Sequence, residues 1–283
     1  MKPVIARTRE ELAAARARIE GTLAFVPTMG ALHEGHLSLM RQARGSADAV
    51  AVSIFVNPLQ FGPGEDFDRY PRTFDADVEA CAGEGVDLIF APTREVMYPD
   101  EPQVTVKSGP MGEVVEGAAR PGHFDGMLTV VLKLLNLVRP DVAIFGEKDA
   151  QQLAMIRRMV ADLNVPVRIM GGRTVREPDG LALSSRNRYL SAAERGTALA
   201  LSRALRAGAD AAAEGPDAVL DAARAVLDKA AAADPPLALD YLVLVDAATF
   251  APAVAGPAVL AVAGRVGATH LIDNVHLQLG KEH

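Results

Sequence analysis

Apolar segments punctuate the first 170 residues at 22–26, 49–56, 86–90, 142–145 and 165–170, with helical periods between them. In 49–56 both alternate sets are apolar, Val50, Val52, Ile54 and Val56 on one and Ala51 and Phe55 on the other. A strand that is apolar on both faces belongs inside a parallel sheet covered by helices on each side. The other four segments predict strands of the same kind. Leu128, Val131, Leu135 and Val138 step by three and four, as do Leu153, Ile156, Val160 and Leu163. That is the repeat of a helix with one buried face. Thr8 and Glu11 have capping-box spacing ahead of Leu12, Ala15 and Ile19, which predicts a first helix before the sheet. Strands alternating with helices of this length imply an α/β fold, a doubly wound, Rossmann-like parallel sheet, over residues 1–174.

The pattern then changes. Residues 173–188 are rich in Pro, Gly and polar side chains and have no helical period. Ser191 and Glu194 repeat the capping-box spacing and open a helix with Ala198, Leu201 and Leu205 inward. A second, alanine-rich helix at 216–233 turns Val219, Ala223 and Val226 to one face, and apolar runs at 239–245, 259–262 and 269–272 read as strands. Helices first and strands afterwards predict a smaller α+β domain over 175–283, placed as a lid.

The chain's 283 residues, 49% hydrophobic and 23% charged, suit globular domains rather than a disordered or fibrous chain. The single cysteine, Cys81, excludes a disulfide framework and a multi-cysteine zinc site, and fits a reducing cytoplasm. Residues 1–20 carry charge throughout and do not read as a signal peptide, and no apolar run reaches membrane-helix length. Twenty-nine Lys and Arg against 36 Asp and Glu give −7, which argues against nucleic acid as a partner. An anionic substrate therefore needs positive charge gathered locally.

Several stretches at strand ends can supply it. Pro-Thr-Met-Gly-Ala-Leu-His-Glu-Gly-His at 27–36 follows the first strand. Gly30 and Gly35 have phosphate-loop spacing, but His36-Leu37 stands where that motif needs Lys-Ser or Lys-Thr. What remains is His33 and His36 on one face at a helix start, where N–H groups attract anions, with Gly35 between them allowing close approach. Phe-Val-Asn-Pro-Leu-Gln-Phe at 55–61 leaves Asn57 and Gln60 at the sheet's carboxyl edge, as a plain turn or as neutral donors and acceptors for a small polar substrate. Phe-Gly-Glu-Lys-Asp at 145–149 brings Lys148, a compact cation suited to phosphate, to another strand end. Leu-Ser-Ser-Arg-Asn-Arg at 183–188 sets hydroxyls beside guanidiniums, either as a phosphate clamp or as a solvated linker. Arg-Pro-Gly-His-Phe at 120–124 is balanced between a binding and a structural histidine, and His270, His276 and His283 read as structural or tail residues.

In chain order the five motifs resemble the pantoate–β-alanine ligase family over nearly the whole chain, with His33–His36 as its form of the HxGH signature of nucleotidylyltransferases. The resemblance implies a cytoplasmic homodimer that condenses pantoate with β-alanine through pantoyl adenylate, releasing AMP and pyrophosphate. ATP is the energy source and Mg²⁺ bridges its phosphates. By the same resemblance Met29, Gly30, Ala31, Leu32, His33, Glu34, Gly35 and His36 cradle ATP, with Gly146, Glu147, Lys148 and Asp149 on ribose and phosphate. Val175, Leu183, Ser184, Ser185 and Arg186 close over the nucleotide, and His33, His36, Lys148 and Arg186 carry the catalysis, His36 also as proton donor. Gln60 and Gln152 bind pantoate, with Asn57 beside them and Gln60 near β-alanine, while Asp77 lies close to the metal. No membrane or nucleic-acid partner is implied, and no covalent enzyme intermediate is required. Two readings compete: a nucleotidylyltransferase that leaves the nucleotide on its product, and a nucleotide-binding regulator without chemistry.

Overall fold

A computed structural model describes residues 2–65 and 67–280, so His283 lies outside the described residues. In chain order its elements begin with β1 (Val4–Ala6), α1 (Arg9–Arg16), β2 (Leu23–Thr28), α2 (Glu34–Arg44), β3 (Ala49–Ile54) and α3 (Phe74–Gly83). There follow β4 (Leu88–Phe90), α4 (Arg94–Met97), α5 (Glu116–Ala119), α6 (His123–Val138), β5 (Val142–Gly146), α7 (Ala150–Asp162) and β6 (Arg168–Gly172). The chain closes with α8 (Ala192–Asp210), α9 (Pro216–Ala231), β7 (Leu237–Asp246), β8 (Gly256–Val266) and β9 (Thr269–Leu279). Two compact units emerge: Met1–Glu113, Arg120–Glu147 and Met155–Arg173 in one, and Val114–Ala119, Lys148–Ala154 and Thr174–His283 in the other.

The first unit is built on a six-stranded sheet in the order β1-β4-β3-β2-β5-β6, every pairing parallel. Central β2 and β3 are buried on both faces, as their sequences demand. Ala24, Val26, Val50 and Val52 pack on Leu39, Met40 and Ala43 of α2, with Cys81 of α3 in the same cluster. Strands run outward from β2 to β3 and β4, then the chain returns to the other side for β5 and β6. The order reverses between β2 and β5, and open α/β sheets bind ligands beyond the carboxyl ends of the strands at such a point.

The two capping boxes form as their spacing predicts. Thr8 and Glu11 make the reciprocal pair at α1, and Ser191 and Glu194 make the one at α8. Four details differ. The segment around 165–170 is not a strand covered on both faces but the half-exposed edge strand β6, which pairs with β5 alone. Helix α1 ends before Ile19, and α7 ends before Leu163, whose side chain is 52% exposed rather than buried. The short edge strand β1 has no counterpart in the apolar pattern, because three residues carry no period.

The second unit pairs β7, β8 and β9 antiparallel, with α8 on β8 and β9 and with α9 on β7 and α8. Ala198, Leu201 and Leu205 of α8 meet Val219, Ala223 and Leu227 of α9 in one core, with Leu260 and Val262 of β8. Val226, expected inward, is only partly buried, and Leu227 takes the core position.

Candidate active site

The loop between β2 and α2 is held from beneath. Thr28 Oγ1 donates to the Ser53 carbonyl at 2.7 Å and accepts from the Gly30 N–H at 3.2 Å. Asp77, only 2% exposed on α3, accepts the Ala31 and Leu32 N–H groups at 3.1 and 2.8 Å and the Thr73 hydroxyl at 3.2 Å. Gly30 has φ +81°, and a Cβ there would stand 2.9 Å from Asp77 Oδ2, so glycine is required on both counts. Asp77, expected beside a metal, therefore has both carboxylate oxygens engaged in shaping this loop.

At the loop's end the two histidines cap α2 and each other. His33 Nδ1 accepts the Gly35 N–H at 3.2 Å, and His36 Nδ1 accepts the His33 N–H at 3.3 Å. Each ring thus uses Nδ1 as an acceptor, so the neutral tautomer carries its proton on Nε2. Their centroids are 4.1 Å apart with planes at 37°. The N–H groups of Gly30, Ala31, Leu32, His33 and Gly35 are all consumed inside the protein. The helix start therefore has few backbone donors left for an anion. Gly35 has its own explanation, since a Cβ would meet the His33 ring at 2.9 Å. Its bare backbone makes room for the capping imidazole. Glu34 pairs with Arg41, which also reaches Glu84 at 2.6 Å.

Beyond β3, Asn57 caps the turn Pro58–Gln60 and is 1% exposed. Its Nδ2 donates to Gln60 Oε1 and to the Gly126 carbonyl, each at 3.1 Å, while Oδ1 accepts the Leu59 N–H at 3.4 Å and the Tyr98 hydroxyl at 2.9 Å. Two donors and two acceptor lone pairs are an amide's full complement, so Asn57, expected to touch substrate, has no capacity left for one. Gln60, 8% exposed, keeps its Nε2 for the Met29 thioether at 3.3 Å. Arg120 and His123 brace the same turn: His123 Nδ1 lies 2.8 Å from the Gln60 carbonyl, and Arg120 Nη2 donates to it at 3.4 Å. Arg120 is itself clamped by both oxygens of Glu65, at 2.9 and 2.6 Å. Burial would raise the Glu65 pKa, but the Arg120 guanidinium outweighs it and holds the carboxyl below its ordinary value.

The second unit carries the other group of expected residues. Lys148 lies in the tight turn Glu147–Asp149, and its carbonyl accepts from Asn274 Nδ2 of β9 at 2.7 Å. Of the two glutamines that follow, Gln151 is buried and bridges the Glu116 N–H and the Val114 carbonyl at 3.0 and 2.9 Å. The half-buried Gln152 side chain makes no hydrogen bond among the described residues. Val175 and Leu183 pair by the Leu183 N–H at 2.9 Å, and Ser184 Oγ caps the next turn by accepting the Arg186 N–H at 3.3 Å. Asn187 fixes that turn to Glu177 and to the Ala182 carbonyl, at 2.7 and 3.0 Å. Nearby, Tyr241 donates to Glu116 at 3.1 Å; burial, then the charges of Glu116 and Asp149, push its phenol well up. Burial lowers His270, with Glu116 and Asp240 opposing and Arg265 and Arg186 assisting. Asp149 is thus within electrostatic reach of Tyr241, and Arg186 of His270.

Tyr98, Gly126 and Asn274 escape a reading of the sequence. Nothing in their local spacing distinguishes them, since each acts on a segment distant in the chain.

A family model described as Pantoate-beta-alanine ligase matches residues 4–276. A pantothenate synthetase of Thermobifida fusca (strain YX) is 64% identical over 286 residues, covering 98% of this chain and 96% of that one. The crystal structure of pantothenate synthetase from Thermus thermophilus is similar with TM-score 0.89 and 47% identity, over 96% of this chain and 98% of that one. The pantoate-beta-alanine ligase of Francisella tularensis, complexed with beta-gamma ATP and beta-alanine, matches with TM-score 0.79 at 33% identity, over 96% and 97%.

Proposed function

Because the chain belongs to the pantoate-beta-alanine ligase family, we propose that its imidazoles, amides and cations divide two chemical steps between them. The reaction condenses pantoate with β-alanine, driven by ATP. A carboxylate oxygen of pantoate attacks the α-phosphorus, the bond from that phosphorus to the β-bridging oxygen breaks, and pyrophosphate leaves. The β-alanine amine then attacks the adenylate carbonyl; the carbon–oxygen bond breaks, AMP leaves with the former carboxylate oxygen, and the nitrogen loses a proton. Oxide is a hopeless leaving group and AMP a good one, which is why ATP is needed. Catalysis is then a matter of alignment and of meeting charge as it develops.

The observation that carries the reading is the reciprocal cap of His33 and His36, which fixes two adjacent rings at the start of α2 with Nδ1 of each as the acceptor. In this reading they face the triphosphate, with His36 following charge onto the leaving pyrophosphate, and Lys148 and Arg186 supply full positive charge. Met29 to Leu32 contribute shape more than donors, since the N–H groups of Gly30, Ala31 and Leu32 are committed. Gly146, Glu147 and Asp149 hold the nucleotide's ribose and phosphate, and Val175, Leu183, Ser184 and Ser185 cover it. Gln60 and Gln152 take pantoate. The Francisella complex with beta-gamma ATP and beta-alanine supports ATP and β-alanine as ligands of this chain. Among the described residues no three His, Cys, Asp or Glu side chains gather as a metal site, and Asp77 is committed to the loop. Mg²⁺ accordingly belongs to this proposal as a companion of the triphosphate, neutralising its charge, rather than as a resident of the protein. The homodimer and the cytoplasmic setting implied by the resemblance are part of the same proposal; sedimentation of the purified protein tests the first.

Single-turnover adenylation tests the assignment. His36→Ala and Lys148→Ala are expected to slow pyrophosphate release from ATP and pantoate by about 10²–10³-fold, the usual loss for one transition-state donor. Wild-type rates in both variants would remove the assignment.

A further inference from the structure

We propose that Tyr98 and Asn57 together set which end of the Gln60 amide meets the substrate, making Gln60 a hydrogen-bond donor and its ligand atom an acceptor oxygen. An amide side chain has two nearly isosteric ends, so a lone glutamine in a binding site can present either. Here the choice is made upstream. Asn57 is fixed by groups that cannot exchange roles: the Leu59 N–H only donates, to Oδ1, and the Gly126 carbonyl only accepts, from Nδ2. The Tyr98 hydroxyl adds a second donor to Oδ1 at 2.9 Å, and Tyr98 is itself buried against Phe55 with the Lys133 ammonium over its ring. The remaining N–H of Asn57 therefore must meet an acceptor, and it meets Gln60 Oε1 at 3.1 Å. Gln60 Nε2 is left as the outer end. Its partner among the described residues is the Met29 thioether, a weak acceptor that an oxygen would displace readily.

The consequence is selectivity. A donor-only Gln60 favours a carboxylate or hydroxyl oxygen of pantoate and offers nothing to an ammonium group such as that of β-alanine. Tyr98 and Asn57 are positioning residues, acting through Gln60 without touching substrate. The inference rests on the reading that Gln60 binds pantoate, and the test separates the two.

KM and kcat for pantoate and for ATP are measured in Tyr98→Phe, Gln60→Ala, Gln60→Glu and the double variant Tyr98→Phe/Gln60→Ala, alongside melting temperatures. Tyr98→Phe is expected to raise the pantoate KM about 3–10-fold, the loss of one hydrogen bond's worth of order, and to leave the ATP KM within about twofold. In the Gln60→Ala background the same substitution is expected to change the pantoate KM by less than about twofold, because the group it orients is gone. Gln60→Glu keeps the acceptor toward Asn57 and removes only the donor, so its pantoate KM should rise at least as far as that of Gln60→Ala. An equal effect of Tyr98→Phe in both backgrounds, no effect in either, or a near-normal pantoate KM in Gln60→Glu would overturn the inference while leaving Gln60 as a pantoate ligand. An unchanged pantoate KM in Gln60→Ala would remove both.

Discussion

Cys81 shows how strongly single side chains are conditioned by what lies one turn away. It is fully buried on α3, four residues after Asp77, whose carboxylate holds the loop beneath the histidines. Burial first, and the Asp77 charge second, push its thiol up to about 12. Since the thiolate is the reactive form, the folded protein should resist thiol reagents at neutral pH, and denatured protein should react at once. Rapid stoichiometric labelling of native protein by a maleimide, with activity lost in step, would show that α3 opens or that the thiol is not buried. The histidine pair is legible at this scale because HxGH at a helix start is a local pattern. The role of Asn57 is not. Its hydrogen bonds close only through Tyr98 and Gly126, 41 and 69 residues away, and no window on the sequence joins those positions.

Among the elements, strands and helices with a full period or a capping box are readable, for their causes are local. The edge strand β6 is misread as a central one because an apolar run does not reveal how many neighbours it will find. The packing of α6 on the Pro58–Gln60 turn is invisible for the same reason, and it decides where Gln60 stands. Gly126 of α6 permits it: an added Cβ would stand 2.0 Å from the Leu59 carbonyl oxygen and 2.7 Å from the Gln60 nitrogen, both backbone atoms that cannot swing aside. Gly126→Ala should therefore push the turn off the helix. Overpacking of this kind costs typically about 1–3 kcal/mol. A lowered melting temperature together with a raised pantoate KM is the expected pair of readouts in thermal unfolding and steady-state assays. An unchanged pantoate KM would mean that the turn is not positioned by α6.

The whole molecule bears a net charge of −7 and yet acts on ATP and a carboxylate, so its attraction for anions has to be local. In the proposed reading each unit makes its own contribution. The first would contribute neutral groups, the His33–His36 pair and the Gln60 amide, on a sheet whose order reverses between β2 and β5. The second would contribute the cations, Lys148 on a turn tied to β9 and Arg186 on a turn tied to its own hairpin. Fold class and family are legible from five motifs in order, whereas the hydrogen bonds that fix the histidine pair and the Gln60 turn require coordinates. The central claim, activation of the carboxylate by adenylation, leaves a mark on the oxygen atoms. With pantoate labelled with ¹⁸O in its carboxylate, AMP isolated after one turnover with ATP and β-alanine should carry one ¹⁸O in its phosphate, and pyrophosphate none. Unlabelled AMP, or label in pyrophosphate or inorganic phosphate, would contradict the account.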